Sequence, residues 1–323
     1  MSRSVTTPPV AVTGYQPDPQ LDAELAALGY AVVAGWPDQR PITDALVRSR
    51  LCPIGQVAAT LLATHRTPGG RLIAAAALRW PGYPGTPGRL WGPIIHPAHR
   101  RRGLGNAVLT ALTRHLASND AAILTAEVPA RRSAASRFYQ AAGWQPAGEA
   151  ALLKRWLPLP SAEEVPPGIR LRTPDPREDL TMPLAELYAT ANPGSDPAAA
   201  ADAFSRWCAD ERFTPESLTV AEDRHGLIAA ALAYPLAHRD PREPTEVLLA
   251  DLLTTTAIDR LRTALVTTAL NTVAQTVNAT VARAVTADTD VVNLLLRLGF
   301  HRVDRLRYYR YAHRPCSMAW VFV

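Results

Sequence analysis

Lysine is almost missing from this 323-residue chain: Lys154 stands alone among 33 arginines. Together with abundant alanine and proline, that bias records a GC-rich genome rather than a function. Cysteine is nearly as scarce. Cys52, Cys208 and Cys316 are odd in number, scattered and never spaced C-x-x-C, which argues against a disulfide framework and a zinc site and predicts reduced, buried thiols. No metal is expected. No apolar run approaches the ~18 residues of a membrane span. A basic start followed by an apolar core, the mark of a secretory signal, is also missing. A cytoplasmic location without a membrane partner is expected. Aromatic residues do not interleave the arginine run Arg100–Arg102, so nucleic-acid binding is not expected.

What is present is 47% apolar and 20% charged, a globular balance able to bury a sizeable core. The length is about twice that of one domain, which predicts two. Residues 1–157 hold 17 Lys+Arg against 8 Asp+Glu, a net of +9, and residues 158–323 hold 17 against 21, a net of −4. A basic half suits an anionic ligand and an acidic half a cationic one; equally, the two halves attract each other.

The chain repeats itself once. Leu72–Pro81 reads LIAAAALRWP and Leu227–Pro235 reads LIAAALAYP, while Gly143-Trp144 and Gly299-Phe300 close similar helical patterns at nearly the same offset. One long offset indicates a duplicated domain, not a solenoid. Proline-rich residues 158–168 form the linker between residues 1–157 and 169–323. In the first half, Gln56–Arg66 and Leu72–Trp80 flank the hairpin signature Thr67-Pro68-Gly69-Gly70. Arg89–His96 is a third strand, Leu104–Leu116 a helix, Ala121–Val128 a buried strand, and Ser133 the cap of a helix ending at Gly143. In the second half, Leu218–Tyr234 gives a hairpin, Glu246–Leu253 a strand, Ile258–Ala274 a helix and Thr280–Thr286 a strand. Val291–Leu298 is the last helix, capped by Asp288 or Asp290. This order predicts an α/β (α+β) fold of two domains, each a mixed β-sheet flanked by helices.

The segment Ile94-Ile95-His96-Pro97-Ala98-His99-Arg100-Arg101-Arg102-Gly103-Leu104-Gly105-Asn106 joins a strand to a helix. Its glycines leave backbone N–H groups at the helix start uncovered, the helix dipole favours an anion there, and three arginines add donors for phosphate oxygens. Val108 stands where a dinucleotide G-x-G-x-x-G would need its third glycine.

Arg100-x-x-Gly103-x-Gly105 after Ile95-His96-Pro97 resembles the (Q/R)-x-x-G-x-(G/A) acyl-CoA signature of the GNAT superfamily of N-acetyltransferases. Glu127-Val128-Pro129 through Ala142-Gly143-Trp144 is similar to the family's E-V-x-x-x-N-x-x-A-x-x-L-Y-x-x-x-G-F segment, in the form of the ribosomal-protein alanine acetyltransferases. The specific resemblance covers roughly residues 90–150. It implies acetyl-CoA as cosubstrate, bound by Ile94, Ile95, Arg100, Arg101, Arg102, Gly103, Leu104, Gly105, Asn106 and Arg132. It also implies Glu127 as base and Tyr139 as acid, for an amine must lose a proton and the leaving thiolate must gain one. Glu127 would end a buried strand, where desolvation disfavours its charge. For Tyr139 the plain alternative is a core aromatic bonded to a backbone group, and His96 and His99 are alternative bases.

Two positions depart from the family pattern. Pro93 has no N–H where the family's strand polarises the thioester, so Ile94 or Ile95 must donate or the strand must shift by one residue. Arg132 replaces the usual asparagine. In the second half the turn loses its glycines: Asp259, Arg262 and Ala264 match Arg100, Gly103 and Gly105 if a few extra residues are allowed in the second copy, and without them Asp259 itself falls on the Gly103 position. Leu295 matches Tyr139 and Arg283 matches Glu127. The expected protein is an acetyltransferase acting on a primary amine of a small molecule, a monomer whose silent second domain takes a dimer partner's place. A peptide or protein N-terminus is the competing acceptor, and a non-catalytic acyl-CoA-binding scaffold is the competing class.

Overall fold

A computed structural model describes residues 9–34, 42–52, 60–79, 88–116, 123–160, 165–175, 177–193, 200, 203–208, 212–236, 245–256 and 258–312. Parts of the expected strands (56–59, Trp80, 121–122), linker residues 161–164 and Cys316 lie outside the described residues. The chain forms two compact units that do not follow two uninterrupted runs of sequence. One holds the described residues of Met1–Val128, Arg132–Gly148 and Arg307–Met318, the other those of Pro129–Arg131 and Glu149–Leu306.

In the first unit the elements run β1 (Ala11–Gly14), α1 (Pro19–Val33), α2 (Asp44–Leu51), β2 (Thr60–Arg66), β3 (Leu72–Arg79), β4 (Gly88–Ile95), α3 (Leu104–Leu116), β5 (Ile123–Pro129) and α4 (Ser133–Ala141), followed by the start of β6 (Gln145–Trp156). Strands β1 to β4 are antiparallel neighbours, and β5 joins β4 in parallel. The hairpin turn closes through Gly70 N–H to Thr67 O at 2.9 Å. Strand β3 is buried from Leu72 to Leu78, which explains an unbroken apolar run where a half-exposed strand would alternate. Helix α3 covers one face, with Leu104, Val108 and Leu112 packing on Ile73, Ala76, Leu78 and Leu90. Helices α1 and α2 cover the other, with Leu25, Leu28, Val47 and Leu51 packing on Leu62, Leu72, Ala75 and Ala77. The sequence patterns passed over α1 and α2. Asp18 caps α1 by accepting from Leu21 N–H at 2.7 Å, and Thr43 caps α2 from Leu46 N–H at 3.2 Å.

The second unit contains β7 (Arg170–Arg172), α5 (Thr181–Ala191), α6 (Ala203–Cys208), β8 (Leu218–Asp223), β9 (Gly226–Leu236), β10 (Glu246–Thr254), α7 (Asp259–Val277), β11 (Val281–Thr286) and α8 (Thr289–Arg297). Strand β12 (His301–Ala312) follows, and its last residues belong to the first unit. Within the second unit, residues 151–156 of β6 pair antiparallel with β11, from Ala151↔Thr286 to Trp156↔Val281. Leu261, Leu265, Ala269, Leu270 and Val273 of α7 fill the core against Ala231, Ala233, Val247 and Ala282.

Two local expectations change and one alternative is resolved. Ser133 is the first helical residue of α4, and Arg132 holds the cap position without a side-chain cap bond. Of the two candidate caps for α8, Asp288 serves, accepting from Asp290 N–H at 2.7 Å and Val291 N–H at 3.2 Å. Cys52 and Cys208 are free and exposed rather than buried, because each sits at the end of a short helix.

The end of β12 builds the floor of the first unit's α4. Tyr309, 2% exposed, stacks on Tyr139 with ring centroids 5.5 Å apart and planes 14° apart, and Trp144 meets Tyr139 edge to face at 5.0 Å. Tyr309→Ala should cost about 3–5 kcal/mol, the usual penalty for deleting a buried aromatic ring. Urea unfolding should show it. Tyr309→Phe, which keeps the stack, should stay near wild type.

Candidate functional site

The site begins where two parallel strands part. Strand β4 pairs with β5 from Gly88↔Leu124 to Leu90↔Ala126, and no further partners are registered among the described residues. A bulge in β4 follows at once: Gly92 and Pro93 together stand opposite Ala76, between Ala77↔Trp91 and Ala75↔Ile94. The bulge gives β4 one more residue than β3 at Pro93. It also separates Ile94 from Ile95. His96 N–H donates to Ile73 O of β3 at 2.9 Å. Alternation along an antiparallel ladder then turns Ile94 N–H toward β3 and Ile95 N–H away from it, into the gap. Ile95 O accepts from Arg100 Nε at 3.3 Å, which ties the following turn to the gap's end.

That turn runs through a short 3-10 segment, Pro97–His99, to α3. Arg101 has φ +62° and Gly103 φ +78°, and a Cβ on Gly103 would meet no atom within 4 Å. The first helical bond is Ala107 N–H to Gly103 O at 3.0 Å. Gly103 therefore holds the cap position and has no side chain to offer. Among the described residues nothing accepts from the N–H groups of Leu104, Gly105 and Asn106. Arg100, Arg101 and Arg102 are exposed and have no carboxylate partner among the described residues. The two glycines do different jobs. Gly103 supplies left-handed backbone and open space, whereas a Cβ on Gly105 would come within 3.0 Å of the Phe138 ring, so Gly105 lets α4 pack closely on α3.

Glu127 is the first β5 residue beyond the paired stretch. It is not an isolated desolvated carboxylate: Arg89 Nη2 donates to Glu127 Oε1, and the Glu127 side chain is 29% exposed. Tyr139 is buried and its hydroxyl donates to Gly92 O at the bulge. Burial raises its pKa above the ordinary phenol value, so the proton stays on at neutral pH. In this state Tyr139 is a core aromatic bonded to a backbone carbonyl, and that carbonyl borders the gap. Arg132, half-buried, leads into α4. His96 Nδ1 accepts from Ala98 N–H at 3.3 Å and Nε2 lies 3.1 Å from Arg71 Nη2. Burial, then Arg71, His99 and Arg100, lower its pKa. His99 packs edge to face on His96 at 5.6 Å. Residues that sequence patterns did not single out are Arg79, Arg89 and Tyr309. The arginines were visible only as strand-end charges, and nothing in the local sequence tied Tyr309 to Tyr139.

The corresponding turn of the second unit is shorter, not longer as the sequence match required. Four residues, Thr255–Ile258, join β10 to α7, where eight, His96–Gly103, join β4 to α3. By helix start, Ile258 rather than Arg262 stands at the Gly103 position. Arg262 lies one turn inside α7, 8% exposed, with its N–H bonded to Ile258 O at 3.1 Å. Asp259 accepts from Arg297 Nη2 at 2.9 Å. Leu295 is fully buried, and Arg283 lies 3.8 Å from the buried carboxylate of Glu246. Among the described residues no group of three or more His, Cys, Asp or Glu is placed to hold a metal ion, and no helix is long and apolar enough to cross a membrane.

No curated protein matches the chain. Solved structures do. A tandem GNAT protein from the clavulanic acid biosynthesis pathway is 18% identical with a TM-score of 0.71, covering 96% of this chain and 100% of its own. A GCN5-related N-acetyltransferase from Sphaerobacter thermophilus is 19% identical with a TM-score of 0.70, covering 96% and 98%. N-myristoyltransferase from Saccharomyces cerevisiae, solved with myristoyl-CoA, is 13% identical with a TM-score of 0.64, covering 94% and 79%. Residues 37–144, which hold the β4–β5 gap, the turn, Glu127 and Tyr139, match the acetyltransferase (GNAT) family, within a chain that has the mixed α/β fold of tandem GNAT proteins.

Proposed function

We propose that the first unit is an acyl-CoA-dependent N-acyltransferase that moves an acetyl group from acetyl-CoA to a primary amine of a small molecule. The observation that carries this reading is the start of α3. Among the described residues, three backbone N–H groups (Leu104, Gly105, Asn106) stand open beside uncovered Gly103, behind three arginines without carboxylate partners. That is the chemistry a diphosphate needs. Residues Arg100 to Arg102 would neutralise it. Ile95 N–H, facing the gap, would polarise the thioester carbonyl, with Ile94 in the strand beside it and Arg132 reaching the pantetheine arm.

In the transfer, the amine nitrogen forms a bond to the thioester carbon and the C–S bond breaks. Glu127 takes the amine's proton, directly or through water, and Tyr139 gives one to the thiolate. Both must first change partners, Glu127 leaving Arg89 and Tyr139 leaving Gly92 O. The chain would act as a monomer in the cytoplasm. In the second unit, the short turn with no glycine favours a copy that binds no cofactor.

A peptide or protein N-terminus is the second reading. It is favoured by the fold shared with N-myristoyltransferase and by the likeness of the Glu127–Trp144 segment to ribosomal-protein alanine acetyltransferases. Thiol release from acetyl-CoA by the full chain should respond to a panel of small primary amines and not to peptides with N-terminal alanine. The opposite pattern would select the peptide reading. No release with either, despite saturable CoA binding, would select a non-catalytic acyl-CoA-binding protein.

A further inference from the structure

We infer that the first unit carries an anion subsite, Arg79 and Arg89 beside Glu127, that takes a carboxylate or phosphate group borne by the acceptor amine. The inference rests on the acyltransferase reading for its acceptor, but the subsite itself rests on geometry. Arg79 of β3 and Arg89 of β4 are directly opposite partners in the antiparallel ladder. Their neighbours Leu78 and Leu90 pack toward α3, so both guanidiniums project from the opposite face, the one that α1 and α2 cover. Like charges facing each other across a ladder oppose its formation. A third cation, Arg50 at the end of α2, adds to them, and Arg79 Nη1 lies 3.4 Å from Arg50 O. Among the described residues, the carboxylate bonded to the opposed pair is that of Glu127, and Arg89 holds it. Arg79 is half-buried and Arg89 is exposed.

The opposed pair therefore carries two positive charges against the one carboxylate bonded to it among the described residues, where an apolar strand end would serve a merely structural purpose. The pKa of Arg79 is lowered by burial and then by Arg50; that of Arg89 is lowered by desolvation, then by Arg50 and Arg79, against a smaller upward push from Tyr308. An arriving anion would relieve this repulsion.

Position links the subsite to the chemistry. Ala126 and Val128 pack toward α3, so Glu127 projects from the same face as the two arginines. Strands lie about 4.8 Å apart and rise about 3.3 Å per residue. An amine at Glu127 and an anion at Arg79 and Arg89 thus fit within one small molecule. Occupation of the subsite would also act on the base. An anion that takes over Arg89 releases Glu127 from its ion pair at the moment the amine arrives.

Two matched pairs of amines test this on the full chain: β-alanine against β-alaninamide, and 2-aminoethyl phosphate against ethanolamine. Thiol release should favour the anionic member of at least one pair by about tenfold or more in kcat/KM. The pair that responds identifies carboxylate or phosphate. Arg79→Gln should collapse that ratio toward one, chiefly through KM, and Arg79→Lys should restore part of it. Neutral amines turned over as well as their anionic partners, by wild type and Arg79→Gln alike, would overturn the subsite and leave the acyltransferase reading standing. If no amine is acylated, calorimetry with 2-aminoethyl phosphate and β-alanine decides. Binding to wild type but not to Arg79→Gln upholds the subsite against a failed enzyme reading, and no binding to either protein overturns it.

Discussion

A chain carrying Gly103→Glu should retain no CoA, although wild type should retain one. Gly103 sits at φ +78°, where a side chain costs about 1–2 kcal/mol of backbone strain, and a Cβ there would meet open space. The residue is thus tolerated by the fold but not by a ligand pressed against the backbone. A carboxylate would stand among the open N–H groups of Leu104, Gly105 and Asn106 and accept from them in the diphosphate's place. Affinity should fall by about 100-fold or more, equivalent to about 2.7 kcal/mol. Gly103→Ala separates the effects, since it adds the strain and a methyl group without the charge, and should bind with intermediate affinity. Native mass spectrometry at saturation gives the count and a thermal melt confirms the fold. The second unit should not make up the loss. Its turn is half as long, Ile258 stands where glycine is needed, and the first helical residue after it is Asp259. A CoA still bound to folded Gly103→Glu protein would show a second site and overturn the idea of a silent copy.

The elements around the gap were legible because each rests on local information. A four-residue turn signal, an unbroken apolar strand and a helix beginning after glycine can all be read within a dozen residues. The turn's open N–H groups follow from Gly103 alone, since a glycine cap offers no side-chain acceptor. What stayed hidden is non-local. Residues 149–156 belong to a different unit from residues 132–148, and residues 307–312 to a different one from residues 149–306. Pairing across such separations leaves no periodic trace in either segment. In β12, His301–Ala312, charged and aromatic side chains intermix because much of the strand is exposed or half-buried. Tyr309 and Tyr139, 170 positions apart, could not be linked by pattern. Partners were equally hidden. Glu127 was recognisable as a strand-end carboxylate, but its ion pair depends on β4 and β5 lying side by side, which brings Arg89 beside Thr125. The packing constraint on Gly105 was hidden for the same reason, because the Phe138 ring that a Cβ there would meet lies 33 positions away.

Glu127→Gln and Tyr139→Phe should each lower kcat by about 10²–10⁴-fold, the range for losing a general base or acid, with CoA affinity little changed. The two variants should differ in every other respect. Glutamine at position 127 keeps the shape and a hydrogen-bond acceptor for Arg89, so stability should hold while the proton acceptor is lost. Phenylalanine at position 139 keeps the stack on Tyr309 and the edge contact with Trp144. It removes the O–H that satisfies Gly92 O, so it should also destabilise by about 1–3 kcal/mol. A kinetic loss explained by that destabilisation alone would scale with the unfolded fraction and recover on cooling; loss of a proton donor would not. The identity of the leaving group separates acid from base. An acetyl thioester whose thiol has a low pKa leaves without protonation, so it should restore turnover to Tyr139→Phe and not to Glu127→Gln. Wild-type rates in both variants, with chemistry shown to limit turnover, would move the proton carriers elsewhere, and His96, held below its ordinary pKa beside Arg71, would be the next base to replace.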